Sequence, residues 1–300
     1  MNWSKNHPIE IFPAVFATEN FPVSQAEFKK EGWQLEPPVK RRLLERIRAA
    51  GKPLGEYCSG RFYRGILTGL NEAFVIDGTT RTRLIEEDPK SAEIIKPFLR
   101  GRDVKRWRVE FANKYLIKIE SSENKKHPWS NNKNQEAESV FSECYPAIHS
   151  HFQKYREDLV KRYDQGNYFL ELRSCAYWRE FESPKIFVPA IEDGVNYAPD
   201  LKGYYGNDKT NIIVSNEWRY LIGLLNSSVL WWLTKQTFSG KQGGFYEFKP
   251  MYVSQIPIPN ATNHQKQCLE SIVSTILTTR TVNLFPACRT GEWEQQFPAS

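Results

Sequence analysis

Apolar positions between Val39 and Ala50 follow the spacing of an amphipathic helix. Leu43, Leu44 and Ile47 fall on one side of this segment, and its arginines fall elsewhere. Gly51 follows directly, and glycine is the usual residue just past a helix end. The pattern therefore predicts a helix with one apolar side and a solvated basic side.

Two longer stretches have the same helical spacing. Tyr145 to Tyr163 has Pro146 in its first turn, where proline is well tolerated, and His264 to Arg280 predicts a helix near the end of the chain. We expect the first helix to face the core, and the second could dock a neighbouring domain. The side chains that carry the stripes are Ile148, Phe152, Tyr155, Leu159 and Tyr163 in the first, and Cys268, Ile272 and Ile276 in the second.

Short runs with strand composition lie between these helices. Ala73 to Ile76 and Lys114 to Ile119 have strand composition, and Asp77-Gly78 supplies a turn after the first run. Glu120 to Glu138 is polar and predicts a mobile surface loop, whereas Trp218 to Leu233 predicts a buried pair of helices. The fold class that follows is α+β, with a mixed sheet and packed helices.

The composition fits a globular protein. The chain has 300 residues, of which 40% are hydrophobic and 25% charged, enough for one sizeable core or two smaller ones. The net charge of +6 favours an anionic partner without requiring nucleic acid. Five scattered cysteines without a C-x-x-C pair indicate a reducing cytoplasm. The sequence has neither a signal-peptide pattern nor a run of 18 apolar residues, so we expect no membrane insertion.

Two neighbouring motifs carry the strongest functional pattern. Tyr63 to Asp77 contains glycines at 65 and 69, and Lys96 to Arg108 contains six Lys or Arg residues with Asp103 as its single acid. Such clustering neutralises phosphates and releases their counterions. Glycine lets a backbone approach closely. These features indicate a DNA-contacting surface.

These motifs, followed in order by further similar segments, resemble the TaqI-like C-terminal specificity domain. That domain is the target-recognition part of bacterial adenine-N6 DNA methyltransferases and of fused restriction-modification enzymes. The resemblance extends over roughly residues 53 to 260. The further segments are Asn167 to Tyr177, Ser183 to Ile186, Tyr220 to Ser227, Gly243-Gly244 and Gln255 to Pro259.

The resemblance implies three parts and a missing partner. Residues 1–55 would connect to an absent catalytic module, residues 56–260 would form the target-recognition domain, and residues 261–300 would form a C-terminal helix and tail. The absent module would bind S-adenosylmethionine, flip the adenine and transfer the methyl group. The chain itself would hold no cofactor. Its partners would be double-stranded DNA and an adenine methyltransferase module, in cis or in trans, in a phage-defence system.

Candidate DNA contacts follow from side-chain chemistry. Arg, Lys, Asn and Gln read base edges, and basic or hydroxyl groups also hold phosphates in register. For each candidate, the alternative role is that of a buried structural arginine or a solvated lysine. The candidates are Arg61, Arg64, Thr68, Asn71, Arg100, Arg102, Lys105, Arg106, Arg173, Tyr177, Arg179, Lys202, Tyr204, Lys241, Gly243 and Gly244.

The sequence matches none of the catalytic motifs that such a function would require. Glu36-Pro37-Pro38-Val39 has the wrong acid and lacks the aromatic residue of the Asp/Asn-Pro-Pro-Tyr loop that grips a flipped base. Phe238 to Gly244 fits neither a donor-binding glycine turn nor a Walker loop. Cys144, His149 and His151 are poor metal ligands together, because residues two apart do not share a helix face. We therefore predict no catalytic residue and no metal site.

Three alternatives remain. A specificity subunit would show two recognition halves, and one is visible. A Mg-dependent nuclease would use Asp77, Asp88 and Lys90, although Asp88-Pro89 is also a normal helix start. A protein-interaction module would use exposed tryptophans. The tryptophans that we expect in the core instead are Trp107, Trp178, Trp231 and Trp232.

Overall fold

Helices and short strands alternate throughout residues 8–25 and 37–281, which a computed structural model describes, and the predicted α+β class is confirmed. The α-helices are α1 (Phe12–Glu19), α2 (Pro38–Ala49), α3 (Leu54–Tyr57), α4 (Asn71–Phe74), α5 (Gly78–Glu87), α6 (Asn134–Cys144), α7 (Pro146–Gln153), α8 (Arg156–Lys161), α9 (Trp218–Leu225), α10 (Ser228–Thr237), α11 (Pro250–Val253) and α12 (Asn263–Thr281). The strands are β1 (Gly51–Pro53), β2 (Phe62–Arg64), β3 (Val75–Asp77), β4 (Ile95–Leu99), β5 (Val104–Lys105), β6 (Arg108–Val109), β7 (Lys114–Ile117), β8 (Lys185–Pro189), β9 (Ile191–Glu192), β10 (Ala198–Asp200), β11 (Tyr205–Gly206), β12 (Thr210–Val214), β13 (Tyr246–Glu247) and β14 (Pro257–Pro259).

An antiparallel sheet with the strand order β10, β8, β12, β2 separates two hydrophobic cores. Successive side chains of a strand point to opposite faces. Phe187 and Ile212 accordingly pack into the first core, while Ile186 and Ile213 pack into the second. Every residue of β8 and β12 is buried, because both faces of these strands are covered.

A second sheet, in the order β11, β4, β7, β3, builds the first core. Its β11–β4 pair is parallel, and its other pairs are antiparallel. Helices α6, α7 and α8 contribute Phe141, Ile148, Phe152 and Leu159 to the same core. The mixed sheet with packed helices is therefore present.

Segments from both ends of the described chain close the second core. Leu44 of α2 and Val273 of α12 are buried in it, and β1 pairs with β14 in the register Gly51↔Pro259. The predicted connector and the predicted C-terminal helix thus contact the same core as the domain between them. The division at residues 55 and 260 stays a prediction.

The long helix predicted from Tyr145 to Tyr163 is wrong, because two shorter helices, α7 and α8, replace it. Between them the chain tightens into a three-residue turn in which Tyr155 N donates to Phe152 O at 2.9 Å. Leu159 still reaches the core, but Tyr163 is 97% exposed.

The strand predicted from Ala73 to Ile76 is half wrong. Ala73 and Phe74 close the short helix α4, and the strand β3 begins only at Val75. Asp77-Gly78 begins α5 instead of making a turn, because Asp77 Oδ1 accepts a hydrogen bond from Thr80 N at 2.8 Å and caps the helix.

The polar stretch from Glu120 to Glu138 is shorter and better anchored than predicted. Helix α6 begins inside it, at Asn134. Trp129 is 1% exposed and its indole N–H donates to Glu171 Oε1 at 2.9 Å. An aromatic side chain with a satisfied polar atom anchors the loop to the first core.

Two predicted helices exist with different buried faces. In α2, Leu44 is buried but Leu43 is 42% exposed. In α12, Ile272 is 57% exposed, while Val273 is buried and Leu269 packs beside it. The buried face of α12 is therefore shifted by one residue from the predicted stripe.

The predicted buried pair of helices is confirmed in α9 and α10, which bury Leu221, Leu225, Leu230 and Leu233. Within residues 8–25 and 37–281, no helix is long and apolar enough to cross a membrane.

Candidate nucleic-acid interface

Two sequence segments that lie about a hundred positions apart form the walls of one groove. Residues 64–67 line one side and residues 173–178 line the other, around a cavity of about 270 Å³. We call it the first groove. Arg64 belongs to the edge strand β2, while Arg173 and Tyr177 precede the short 3-10 helix Trp178–Glu182. The structure thus brings three predicted DNA contacts together.

The two arginines of the first groove are exposed and weakly paired. Arg64 Nη2 lies 3.7 Å from Asp208 Oδ2, and Arg173 Nη1 lies 3.1 Å from Asp164 Oδ1. Their side chains are 58% and 54% exposed. Exposed ion pairs of this kind contribute about 0–1 kcal/mol to stability. A phosphate could therefore replace either carboxylate at small cost.

A stacked pair of tyrosines supports the groove wall. The rings of Tyr63 and Tyr177 are 4.7 Å apart and 19° from parallel. Burial raises the pKa of Tyr177 to about 12, so its phenol stays a neutral hydrogen-bond donor at physiological pH. Arg61 donates to Glu180 at 2.6 Å, and this bond raises the pKa of the arginine. Arg61 thereby connects the first motif to the 3-10 helix Trp178–Glu182.

Glycines of the first two motifs meet the same turn, residues 207–209. A Cβ on Gly65 would lie 1.9 Å from Asn207 O, and one on Gly101 would lie 2.9 Å from Lys209 O. The close approach predicted for these glycines is real, but the approaching backbone is the protein's own. Asp208 of this turn also holds Arg64, so the turn links both motifs to the first groove.

The basic second motif divides into structural and exposed cations. Arg100 donates to both oxygens of Asp103, at 3.0 and 2.7 Å, and Asp103 is 4% exposed. The same carboxylate accepts from Arg100 N at 2.8 Å and closes the 3-10 helix Gly101–Asp103. Arg100 therefore fixes the turn. Arg102 is exposed, and among the described residues it has no ion pair.

Lys105 and Arg106 lie on the β5–β6 hairpin. Arg106 Nη2 donates to Asn226 O at 2.5 Å while the residue stays exposed. Lys105 is half-buried, and its charge acts on the carboxyl of Glu192. Asn226 also donates to Tyr197 O at 2.9 Å, so the hairpin is docked on the second core.

Thr68 supports the first motif from within the protein. It is 2% exposed, and its hydroxyl donates to Asn71 Oδ1 at 2.8 Å. The guanidinium of Arg162 donates to the carbonyls of Thr68, Phe169 and Glu171. Burial lowers the pKa of Arg162 to about 10. Asn71 is exposed, although its side-chain oxygen is engaged by Thr68.

A buried ion pair supports the loop with Lys202 and Tyr204. Asp200 accepts from the backbone N–H groups of these two residues at 2.7 and 2.9 Å. Lys185 Nζ lies 2.5 Å from Asp200 Oδ2, and neither side chain is exposed. The Tyr204 ring packs on Phe111 at 5.2 Å. Lys202 remains exposed at the surface.

Lys241 to Gly244 form an exposed hairpin tip. Lys241 N donates to Phe245 O at 2.7 Å, and both Gly243 and Gly244 have positive φ angles, 80° and 82°. Lys241 Nζ lies 2.9 Å from Glu247 Oε1. Lys249 and Lys241 together hold the pKa of Glu247 below its usual value. The tip therefore presents a cation and two glycines, of which Gly243 lies beside the Phe245 ring and Gly244 faces open space.

Sequence reasoning missed the acids that orient the arginines. Asp164, Glu180 and Asp208 each contact an arginine of the first groove or its wall. Isolated acids carry no spacing signal, because their partners come from other segments of the chain. The 16 predicted contacts thus have distinct surroundings, and as DNA contacts they stay predictions.

The residues of the alternative nuclease are far apart. Asp77 caps the beginning of α5 and Asp88 follows its end. Ten helical residues separate them, about 15 Å at the usual rise. Asp88 itself accepts from Lys90 N and Ser91 Oγ at the start of the 3-10 helix Pro89–Glu93, as the cap prediction required. Two carboxylates at this separation do not hold one Mg²⁺.

The predicted tryptophan and histidine environments also match the structure. Trp107 and Trp178 are buried, while Trp231 and Trp232 are half-buried against the second core. His149 contacts Glu138, whereas His151 contacts the carbonyl of Ala73. Over the described ranges, no three His, Cys, Asp or Glu residues are grouped to hold a metal. The histidines indeed point to different partners. Trp129 and Trp218 are buried as well, so no tryptophan of the described ranges is exposed as the protein-interaction alternative requires.

Comparison with known proteins identifies the family. The family model described as the TaqI-like C-terminal specificity domain matches residues 96–258, more than half of the chain. The chain belongs to this family, and its role is DNA target recognition. The resemblance seen in the sequence is confirmed. A search of curated proteins found no match.

Two solved structures match this chain to different degrees. The type IIL restriction-modification enzyme MmeI, in complex with DNA, is 13% identical, with a TM-score of 0.51 over 73% of this chain. The type IIG restriction endonuclease BpuSI is 12% identical, with a TM-score of 0.44 over 78% of this chain. The chain spans 28% of the length of each. The likeness to MmeI supports the assigned fold.

Proposed function

We propose that this chain selects the DNA site for an adenine-N6 methyltransferase module, which lies in the same polypeptide or in a partner subunit. The observation that carries the proposal is the first groove, where Arg64, Arg173 and Tyr177 converge from separate motifs. The family assignment supports DNA as the ligand. In this proposal the restriction-modification system acts in the cytoplasm against phage DNA.

The catalytic chemistry would belong to the partner module. That module supplies S-adenosylmethionine binding, adenine flipping and methyl transfer. The present chain would contribute orientation, holding the duplex so that the chosen adenine faces the catalytic pocket. Its sequence has no donor-binding turn that would place the methyl donor here.

Within the first groove, the side chains would have separate tasks. Arg64 and Arg173 would exchange their carboxylate partners for phosphates or for a guanine edge. Tyr177 would donate its phenol proton to a phosphate oxygen. Exposed cations beyond the groove, such as Arg102 and Lys241, would hold the backbone on either side.

Substitution of the two groove arginines tests the proposal. We expect the double variant Arg64→Gln, Arg173→Gln to lower the slope of log affinity against log salt by about 2, because each lost phosphate contact removes about 0.9 from that slope. Fluorescence anisotropy with a labelled duplex measures this change.

The matched control is Arg83→Gln, since Arg83 is exposed on α5, pairs with Glu87 and lies outside the groove. It should leave the slope unchanged. An unchanged slope in the groove variant, with its melting temperature preserved, would contradict the proposed role of the two arginines.

A further inference from the structure

A second groove lies on the other side of Trp178 from the first. It is lined by residues from four segments around a cavity of about 410 Å³, and Trp178 lines both grooves. The first groove uses the chain up to Trp178, and the second uses Trp178, Arg179 and Glu182 of the 3-10 helix. The two cavities are therefore neighbours across one tryptophan.

The floor of the second groove lies where the pairing of β4 with β7 ends. Lys118 N donates to Ile94 O at 2.6 Å, which continues the antiparallel ladder past the ends of the two strands. Ile94 and Lys96 are two positions apart along one segment, and Lys118 and Glu120 are two positions apart along its partner. Residues at this spacing in extended chain point to the same face of a sheet, so these four side chains share one face. The sheet therefore positions the charges of the floor.

Lys118 neutralises the two acids at the centre of this groove. Its ammonium lies 3.1 Å from Glu120 and 3.7 Å from Glu182. It also lies 5.5 Å from the Trp178 ring centroid and 5.1 Å from that of Tyr205. Tyr205 donates to Glu182 at 2.9 Å. These groups are satisfied by one another and leave little charge for a ligand.

Three other cations of the groove are not matched in this way. Lys96, Lys125 and Arg179 line the cavity, and none of them has an ion pair with a described residue. Glu93 is the remaining acid, so the lining carries four cations and three acids, a net charge of +1. Lys96 acts on Glu182 through its charge alone, without forming an ion pair, so the three cations remain able to contact a ligand.

The loop that brings Lys125 to the groove is held in place. Asn124 Oδ1 accepts a hydrogen bond from Cys175 N at 2.7 Å, so the loop is bonded to the wall of the first groove. Glu171 accepts from Ser122 N at 3.0 Å and from the Trp129 indole at 2.9 Å. Lys125 therefore projects from an anchored loop.

We infer that the second groove binds the sugar-phosphate backbone of duplex DNA next to the stretch held by the first groove. Lys96, Lys125 and Arg179 would each contact a phosphate. This inference rests on the proposed function, because it extends the same duplex past Trp178. The cations lie in a concave polar site, where phosphate oxygens can accept hydrogen bonds from them.

Duplex length provides the test. The full chain and the triple variant Lys96→Gln, Lys125→Gln, Arg179→Gln are titrated with a short duplex that carries the selected site and with longer duplexes extended on either side. We expect the wild-type protein to bind one extended duplex more tightly than the short one. The triple variant should lose this gain, and its salt slope on that duplex should fall by up to about 3.

Two matched variants keep the result specific. Arg83→Gln, Lys154→Gln, Lys235→Gln removes three exposed cations that line neither groove and should retain the gain from extension. Lys96→Arg, Lys125→Arg, Arg179→Lys keeps the charges and should retain it as well. Loss of the gain in the charge-conserving variant would overturn the phosphate role.

The outcomes separate this inference from the proposed function. If the triple variant binds short and extended duplexes as the wild type does, the second groove is not a DNA site although the domain still reads DNA. If the wild-type chain binds no duplex of any length, the proposed function fails, and the groove inference fails with it.

Discussion

At the residue scale, Gly65 has a packing role that also positions a candidate DNA contact. Its missing side chain lets the turn at Asn207 approach, and Asp208 of that turn holds Arg64 in the first groove. The glycine therefore acts on the candidate DNA contact through packing. Neither its spacing nor its neighbours in the sequence could indicate which backbone it would meet.

Adding one methyl group at this position tests the packing. We expect Gly65→Ala to lower the free energy of unfolding by about 1–3 kcal/mol, because overpacking forces the turn to move. Gly194→Ala is the matched control, since a Cβ at Gly194 meets nothing within 4 Å. Urea unfolding of both variants measures the difference. Equal stability of the two would show that the turn yields without cost.

Two histidines, buried His151 and half-buried His127, make stability depend on pH. Burial lowers the pKa of His127 and of His151 below their usual values. Between the folded and unfolded pKa values, the unfolded chain binds protons that the folded protein does not bind, so stability falls as pH drops below about 6.5. We expect the urea midpoint to decrease from pH 7.5 to pH 5.5.

The double variant His127→Gln, His151→Gln should show a smaller decrease over the same pH interval. Glu138 does not contribute to the change in stability between pH 7.5 and pH 5.5. Its hydrogen bond from Arg156 lowers its pKa to about 2, so the stability that Glu138 contributes is lost only as the pH falls from the usual carboxyl pKa toward that value. An identical pH dependence in wild type and double variant would contradict the assignment to these histidines.

Several elements lie where the hydrophobic pattern predicts them, although the longest predicted helix divides into α7 and α8. Helices α2, α9, α10 and α12 and the strand β7 lie where the pattern placed them. The predicted element boundaries were wrong where a local hydrogen bond sets the end of an element. At Asp77, for example, the carboxylate caps α5 instead of closing a turn. The prediction of a mobile loop before α6 was wrong for another reason. The loop is anchored by Trp129, and a single residue gives no periodic signal in the sequence.

The loop before α6 provides the test at the scale of the element. Trp129→Ala should lower the free energy of unfolding by about 3–5 kcal/mol, because it leaves a cavity and removes a donor from buried Glu171. Trp129→Phe should cost less, since it keeps most of the ring volume. Chemical unfolding monitored by circular dichroism measures both. A loss below about 1 kcal/mol for the alanine variant would mean that the loop is not anchored by this ring.

At the scale of the whole molecule, a sheet whose central strands are buried on both faces lies between two cores. The candidate interface lies along its edge strand β2 and the segments that contact this strand. The sequence was sufficient to predict the family, because several motifs occur in the family order. It was not sufficient to predict the two grooves. These depend on contacts such as Arg64 with Asp208 and Cys175 with Asn124, which join segments far apart in the chain.

Selection from a randomised pool of duplexes, with the affinity of the purified chain measured across a salt series, tests the central claim that this domain reads a DNA sequence. We predict enrichment of one short motif, together with affinity that falls steeply as salt rises. Binding that is insensitive to salt, or no binding at low salt, would contradict the account. Salt-sensitive binding without any enriched motif would contradict sequence reading by this chain on its own.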